Sequence, residues 1–122
     1  QENITLIHDW LNAGCLVQVD AGSVMGILGK SARQAAENII RNGWCQILGS
    51  DAHDDSKRNF CLKDAYEIVQ GWVGNDARTM VYDHPRAVLE GQTISVDVEI
   101  MPEEIPGLWK KLIHRYTKRV YQ

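Results

Sequence analysis

The sequence predicts an α/β fold built on parallel strands, and three observations carry that prediction. Two short apolar runs, Cys15–Val19 and Trp44–Leu48, are separated by a stretch with helical periodicity, and further helical stretches follow. Strands joined through a helix in this way pair in parallel. Glycines stand where the helical stretches should stop, at Gly14, Gly43 and Gly91. With 122 residues, 44% of them apolar and 24% charged, the chain has the make-up of one soluble globular unit with its own core.

The elements follow in order. Ile4, Ile7 and Leu11 recur at helical spacing, with Leu6 and Trp10 beside them, up to Gly14. Cys15–Val19 reads as a buried strand, and a glycine-rich turn runs from Gly22 to Gly29. Ser31, with Gln34 three residues on, predicts a capping box opening the next helix. Its stripe is Ala32, Ala35, Ala36, Ile39 and Ile40, and Gly43 ends it. Trp44–Leu48 is the second strand, followed by Gly49–His53 and a polar loop, Asp54–Asn59. A third helix carries Leu62, Ala65, Tyr66, Val69, Trp72 and Val73 on one side. A short helix is expected over Ala77–Tyr82, and another from Pro85, a favoured first-turn residue. Residues 93–122 read as an acidic connector and a last amphipathic helix with Ile105, Leu108, Trp109, Leu112, Ile113 and Tyr116 on its stripe.

The charge pattern narrows the function classes. Residues 1–104 hold 16 acidic and 8 basic residues, a net −8, and residues 105–122 hold 5 basic and no acidic ones, a net +5. An acidic body argues against a nucleic-acid binder, which needs a basic face. The basic face of 105–122 suits peripheral contact with an anionic membrane or an acidic partner. No apolar run approaches ~18 residues, so no transmembrane helix is expected, and no basic-led apolar segment marks a signal peptide. The three cysteines are odd in number and form no Cys-x-x-Cys pair. That usage favours a reducing, cytoplasmic setting over a disulfide framework or a cysteine-rich zinc site.

In parallel α/β folds the chemistry gathers beyond the carboxyl ends of the strands. Two segments hold that position here, Asp20–Gly29 and Gly49–Arg58. In the first, Gly29-Lys30-Ser31 suggests a phosphate loop, but the glycine needed five positions before Gly29 is Val24. A turn with special backbone angles is the better reading. In the second, Asp51 and His53 are two apart, and in an extended conformation both would project to one side. A carboxylate and an imidazole together suit Mn, Fe or Zn, while the plain alternative is a turn aspartate beside a surface histidine. Arg58 lies in the loop at the same end, where a guanidinium could grip a phosphate or stand as a solvated charge. Cysteine-based phosphatase chemistry is excluded, because the residues six after Cys15, Cys45 and Cys61 are Ala21, Asp51 and Glu67 rather than arginine. His8, His84 and His114 have no partner at metal-ligand spacing and read as surface or helix-end histidines.

The runs Leu16-Val-Gln-Val-Asp-Ala-Gly-Ser23, Gly29-Lys30 and Ile47-Leu-Gly-Ser-Asp-Ala-His53 together resemble the C-terminal part of PHP-type phosphatases. The resemblance is to the bacterial protein-tyrosine phosphatases of capsule and exopolysaccharide operons. It covers about residues 1–92, through Asp83-His-Pro-Arg-Ala-Val-Leu-Glu-Gly91, with His84 where the family has Asn. The resemblance implies the C-terminal portion of a distorted parallel (β/α) barrel over 1–92, with 93–122 as an appended connector and helix. It implies a divalent metal cluster, often manganese, with Asp51 and His53 as its last two ligands and Arg58 on the substrate phosphate. The implied reaction is metal-dependent hydrolysis of phosphotyrosine in proteins, with a bacterial tyrosine kinase as partner. The family's remaining ligands would precede Gln1. The expectation is therefore that the 122 residues by themselves are inactive. A partial barrel also exposes a sheet edge and an apolar inner surface, so self-association is expected. Two alternatives stand beside this reading: a PHP-type phosphatase of a small phosphate ester, and a module that binds without catalysis.

Overall fold

The computed structural model describes residues 4–56 and 59–96, with side chains placed from Leu6 onward. It is mixed α/β. Helix α1 (Ile4–Asn12) leads to strand β1 (Gln18–Asp20), helix α2 (Ala21–Met25), helix α3 (Lys30–Arg41) and strand β2 (Ile47–Gly49). Helix α4 (Leu62–Val73), helix α5 (Asp76–Arg78), a π turn (Thr79–Asp83) and helix α6 (His84–Leu89) complete the described chain. The strands pair in parallel, with Gln18 opposite Ile47, Val19 opposite Leu48 and Asp20 opposite Gly49. Parallel pairing through a helix is the arrangement expected from the sequence.

The helices end where the glycines predict. At α1 and α3 the amides of Gly14 and Gly43 bond the carbonyls of Leu11 and Ile40, and those of Cys15 and Trp44 reach back to Trp10 and Ile39. Both glycines adopt the positive φ that this helix stop requires, 83° and 72°.

The strands are shorter and later than the apolar runs suggest. Cys15–Val17 lie outside β1, because the Val17 amide donates to the Gln46 side chain at 2.7 Å rather than to a strand. The Gln46 and Ile47 amides both donate to the Val17 carbonyl, which brings the chains together one residue before the ladder starts. Trp44 instead closes α3 and meets the His8 ring in a T-shaped contact, with centroids 4.4 Å apart. That contact ties α1 to the start of β2, so His8 is a packing residue.

The glycine-rich turn is mostly a helix. Asp20 ends β1 and caps α2, accepting the Gly22 amide at 2.8 Å on its carboxylate. One helical turn then buries Ala21 and Val24 completely. Gly29 takes the N-cap of α3 without a side-chain bond. Ser31 therefore lies inside the helix and forms no capping box, and Gln34 reaches forward to Asn38 instead, at 3.4 Å.

The core lies where one face of the two strands meets α2, α3, α4 and the π turn. Val19, Leu48, Val24, Ile40, Val69 and Met80 fill it. The two helices expected at 77–82 and from Pro85 are one run broken by the π turn. Pro85 has no amide to donate to residue 81, and its ring would crowd that carbonyl. The widened turn just ahead of it, closed by the His84 amide on the Thr79 carbonyl, accommodates both problems. It also brings Arg78 over Asp83, with one guanidinium nitrogen 3.0 Å from each carboxylate oxygen.

Candidate functional site

The two strand ends stand level, because Asp20 pairs with Gly49. Beyond β1 the chain turns at once into α2, and the Asp20 carboxylate becomes its cap. Among the described residues beyond β2, no helix begins until Leu62. Ser50, Asp51, Ala52 and His53 therefore leave the sheet as irregular backbone open to solvent.

Asp51 carries a φ of 50°, unusual for a residue with a side chain. Aspartate tolerates this left-handed conformation better than most residues. The backbone here is thus bent rather than extended, which corrects the expected projection of Asp51 and His53 from one side of a strand. The bend still brings them together. The His53 Nδ1 lies 2.7 Å from the Asp51 main-chain oxygen and 3.9 Å from its carboxylate Oδ1. A carbonyl only accepts, so Nδ1 carries the proton and the neutral ring keeps its lone pair on Nε2. A ring held by its Nδ1–H on a carbonyl is the arrangement that prepares Nε2 for a metal. Both side chains are about half exposed, at 43% for Asp51 and 54% for His53. Donor chemistry and access therefore fit a divalent cation. Among the described residues, no group of three or more His, Cys, Asp or Glu side chains is placed to hold one.

Arg58 lies outside the described residues, as does the stripe from Ile105 to Tyr116. The loop before Arg58 is shaped by Asp54, which accepts the Ser56 amide at 2.8 Å and its hydroxyl at 3.2 Å.

Two polar residues near the strands escape a reading by spacing. His84, half-buried, places Nδ1 2.7 Å from the Gln46 carbonyl and so ties α6 to the residue before β2. Gln18, exposed on β1, lies across Gly49 on β2: a Cβ on Gly49 would stand 2.8 Å from the Gln18 carboxamide nitrogen. Neither link is visible without the parallel register. Cys45 is buried, and its thiol is pushed up to about 11 by that burial. It stays protonated at neutral pH and is no nucleophile.

Comparison with known proteins adds to this geometry. Over 94 residues the chain is 27% identical to the tyrosine-protein phosphatase YwqE of Bacillus subtilis (strain 168), covering 77% of this chain and 37% of that protein. It is 26% identical over 106 residues to CapC of Staphylococcus aureus, covering 86% of this chain and 38% of that one. A chain from the crystal structures of YwqE from Bacillus subtilis and CpsB from Streptococcus pneumoniae, metal-dependent tyrosine phosphatases, superposes with a TM-score of 0.71 at 26% identity. That superposition covers 77% of this chain and 38% of the other. The chain thus spans well under half the length of these relatives. Residues 1–90 match the family model for capsular polysaccharide synthesis, CpsB/CapC, and the chain belongs to that family.

Proposed function

We propose that this chain is the C-terminal part of a PHP-type, metal-dependent phosphatase acting on phosphotyrosine in proteins, in the setting of capsule or exopolysaccharide synthesis. The observation that carries the reading is the Asp51–His53 pair beyond β2, with the ring proton on Nδ1 bound to the Asp51 carbonyl. Its support is family membership and likeness to metal-dependent tyrosine phosphatases. In this reading the described strands belong to a distorted barrel completed by residues from a longer chain.

The Asp51 carboxylate and His53 Nε2 would hold one edge of a divalent metal cluster, with manganese the proposed ion. Such a cluster supplies Lewis acidity and an activated water. His53 keeps its ring orientation through its own backbone contact, and Arg58 would grip the phosphoryl oxygens with two parallel hydrogen bonds. The open position of Asp51 and His53 favours a phosphorylated protein segment over a small ester, which would need enclosing walls. A bacterial tyrosine kinase is the proposed partner, in the cytoplasm. Peripheral membrane contact through 105–122 and self-association through exposed sheet edges complete the proposal.

Two ligands bind a divalent ion weakly, so the 122 residues alone are expected to show no manganese-dependent turnover. The deciding assay uses a chain of the relatives' full length that contains this segment, on a phosphotyrosine peptide. Phosphate release with manganese, abolished by chelator, is the expected result. Failure with every divalent metal would overturn the phosphatase reading and favour a binding module.

A further inference from the structure

The face of the sheet turned away from the core carries Gln18, Asp20, Ile47 and Gly49, since Val19 and Leu48, between them in sequence, are buried at 6% and 2%. Gly49 is a glycine with no positive φ, so its backbone conformation does not require one. Its neighbour does. A Cβ at Gly49 would stand 2.8 Å from the Gln18 carboxamide nitrogen and 3.0 Å from the carbon that bears it. The missing side chain is the space in which the carboxamide lies. Gln18 thus reaches diagonally from β1 over the last residue of β2, two residues before Asp51. It is exposed, and among the described residues its side chain has no hydrogen-bond partner.

The neighbouring polar group on this face cannot serve the same end. The Asp20 carboxylate is committed to the Gly22 amide at 2.8 Å and would repel an anion. A carboxamide offers two N–H donors without charge, so it can approach phosphoryl oxygens without competing for a cation. We propose that Gln18 donates a hydrogen bond to the phosphoryl group taken at the Asp51–His53 site, and that Gly49 is the residue that makes room for it. The inference rests on the phosphatase reading above and adds a substrate-contacting residue to it.

The test uses a 15N-labelled chain of the relatives' full length that contains this segment, and two probes, Mn2+ alone and inorganic phosphate with Mg2+. Paramagnetic broadening by Mn2+ reports distance from the bound ion. The Gln18 side-chain NH2 pair, assigned by its loss in Gln18→Ala, is expected to broaden together with the amides of Asp51 and His53. All three should stay sharp in the Asp51→Asn, His53→Ala double variant. With Mg2+ present, phosphate should shift the Gln18 pair, and Gln18→Met, which keeps the shape without donor or charge, should weaken phosphate binding by about three- to tenfold, the worth of one hydrogen bond. A Gln18 that acts only in packing would leave phosphate affinity unchanged in Gln18→Met. That result, or a sharp Gln18 pair beside broadened Asp51 and His53, overturns the proposal while leaving the metal reading intact. If Mn2+ broadens none of the three, the metal reading falls and the proposal falls with it.

Discussion

Two aspartates sit at or just past the ends of two paired strands, and their surroundings differ. Asp20 ends β1 and spends its carboxylate on the first turn of α2. Asp51 follows β2 by two residues, takes a left-handed backbone, and keeps its carboxylate 43% exposed beside His53. The residue type and the end of the sheet are the same. What differs is the next step of the chain: a helix that starts at once needs a cap, and an irregular connector does not. In this fold the first turn of α2 uses the Asp20 carboxylate as its cap, while the Asp51 carboxylate stands half exposed beside His53.

The largest expected effect tests the platform beneath both ends. Leu48→Ala removes a side chain that is 2% exposed between the two sites. It should cost about 2–5 kcal/mol in denaturant unfolding, loosening the Asp20 and Asp51 ends together. Asp51→Asn comes next and should separate them. Asparagine accepts the left-handed conformation, so thermal stability should change little. Turnover by a full-length chain should fall by about a hundredfold or more, at least the loss seen when a ligand's supporting group is removed. An Asp51→Asn enzyme with full activity would make the two aspartates equivalent and end the contrast.

Cys45, just ahead of β2, gives a pH signature. Burial disfavours the thiolate and pushes the thiol up to about 11 from its ordinary 9.0. Between those values the unfolded chain has lost its proton while the native state retains it. Stability therefore falls as pH rises from about 9 toward 11, by a total on the order of 3 kcal/mol. Chemical denaturation across that range should show the slope, and Cys45→Ala should flatten it. The smallest effect is at the cap. Asp20→Ala should cost about 1 kcal/mol, read as a lower melting temperature, with no change in Mn2+ affinity. A loss of metal binding in Asp20→Ala would show that the cap and the site are one unit.

Where the signal was local, residues spoke directly. The apolar stripe of α4, from Leu62 to Val73, matches its helix residue for residue. Gly14, Gly43 and Gly91 stop helices because each must adopt a positive φ there. The Asp51-x-His53 pairing was also legible, though its geometry was not. An extended segment was expected, and the bend at Asp51 brings the two together through a backbone contact. The strands were displaced because their limits depend on a partner 29 residues away: the Gln46 side chain takes the Val17 amide. The helix α2 was hidden behind its glycines, since Gly22 and Gly26 read as a turn until Asp20 is seen to cap it. Arg58 and the stripe from Ile105 lie outside the described residues and remain expectations.

By itself, the order of residues determined the alternation of strand and helix, the helix stops and the nearness of Asp51 and His53. These depend on interactions within a few positions along the chain. Only the tertiary structure decided that Asp20 is a cap, that Pro85 sits beyond a π turn rather than at a fresh helix start, and that Gln18 lies over Gly49. Each of those outcomes depends on where a neighbouring segment arrives, and parallel pairing brings together residues that the sequence keeps far apart.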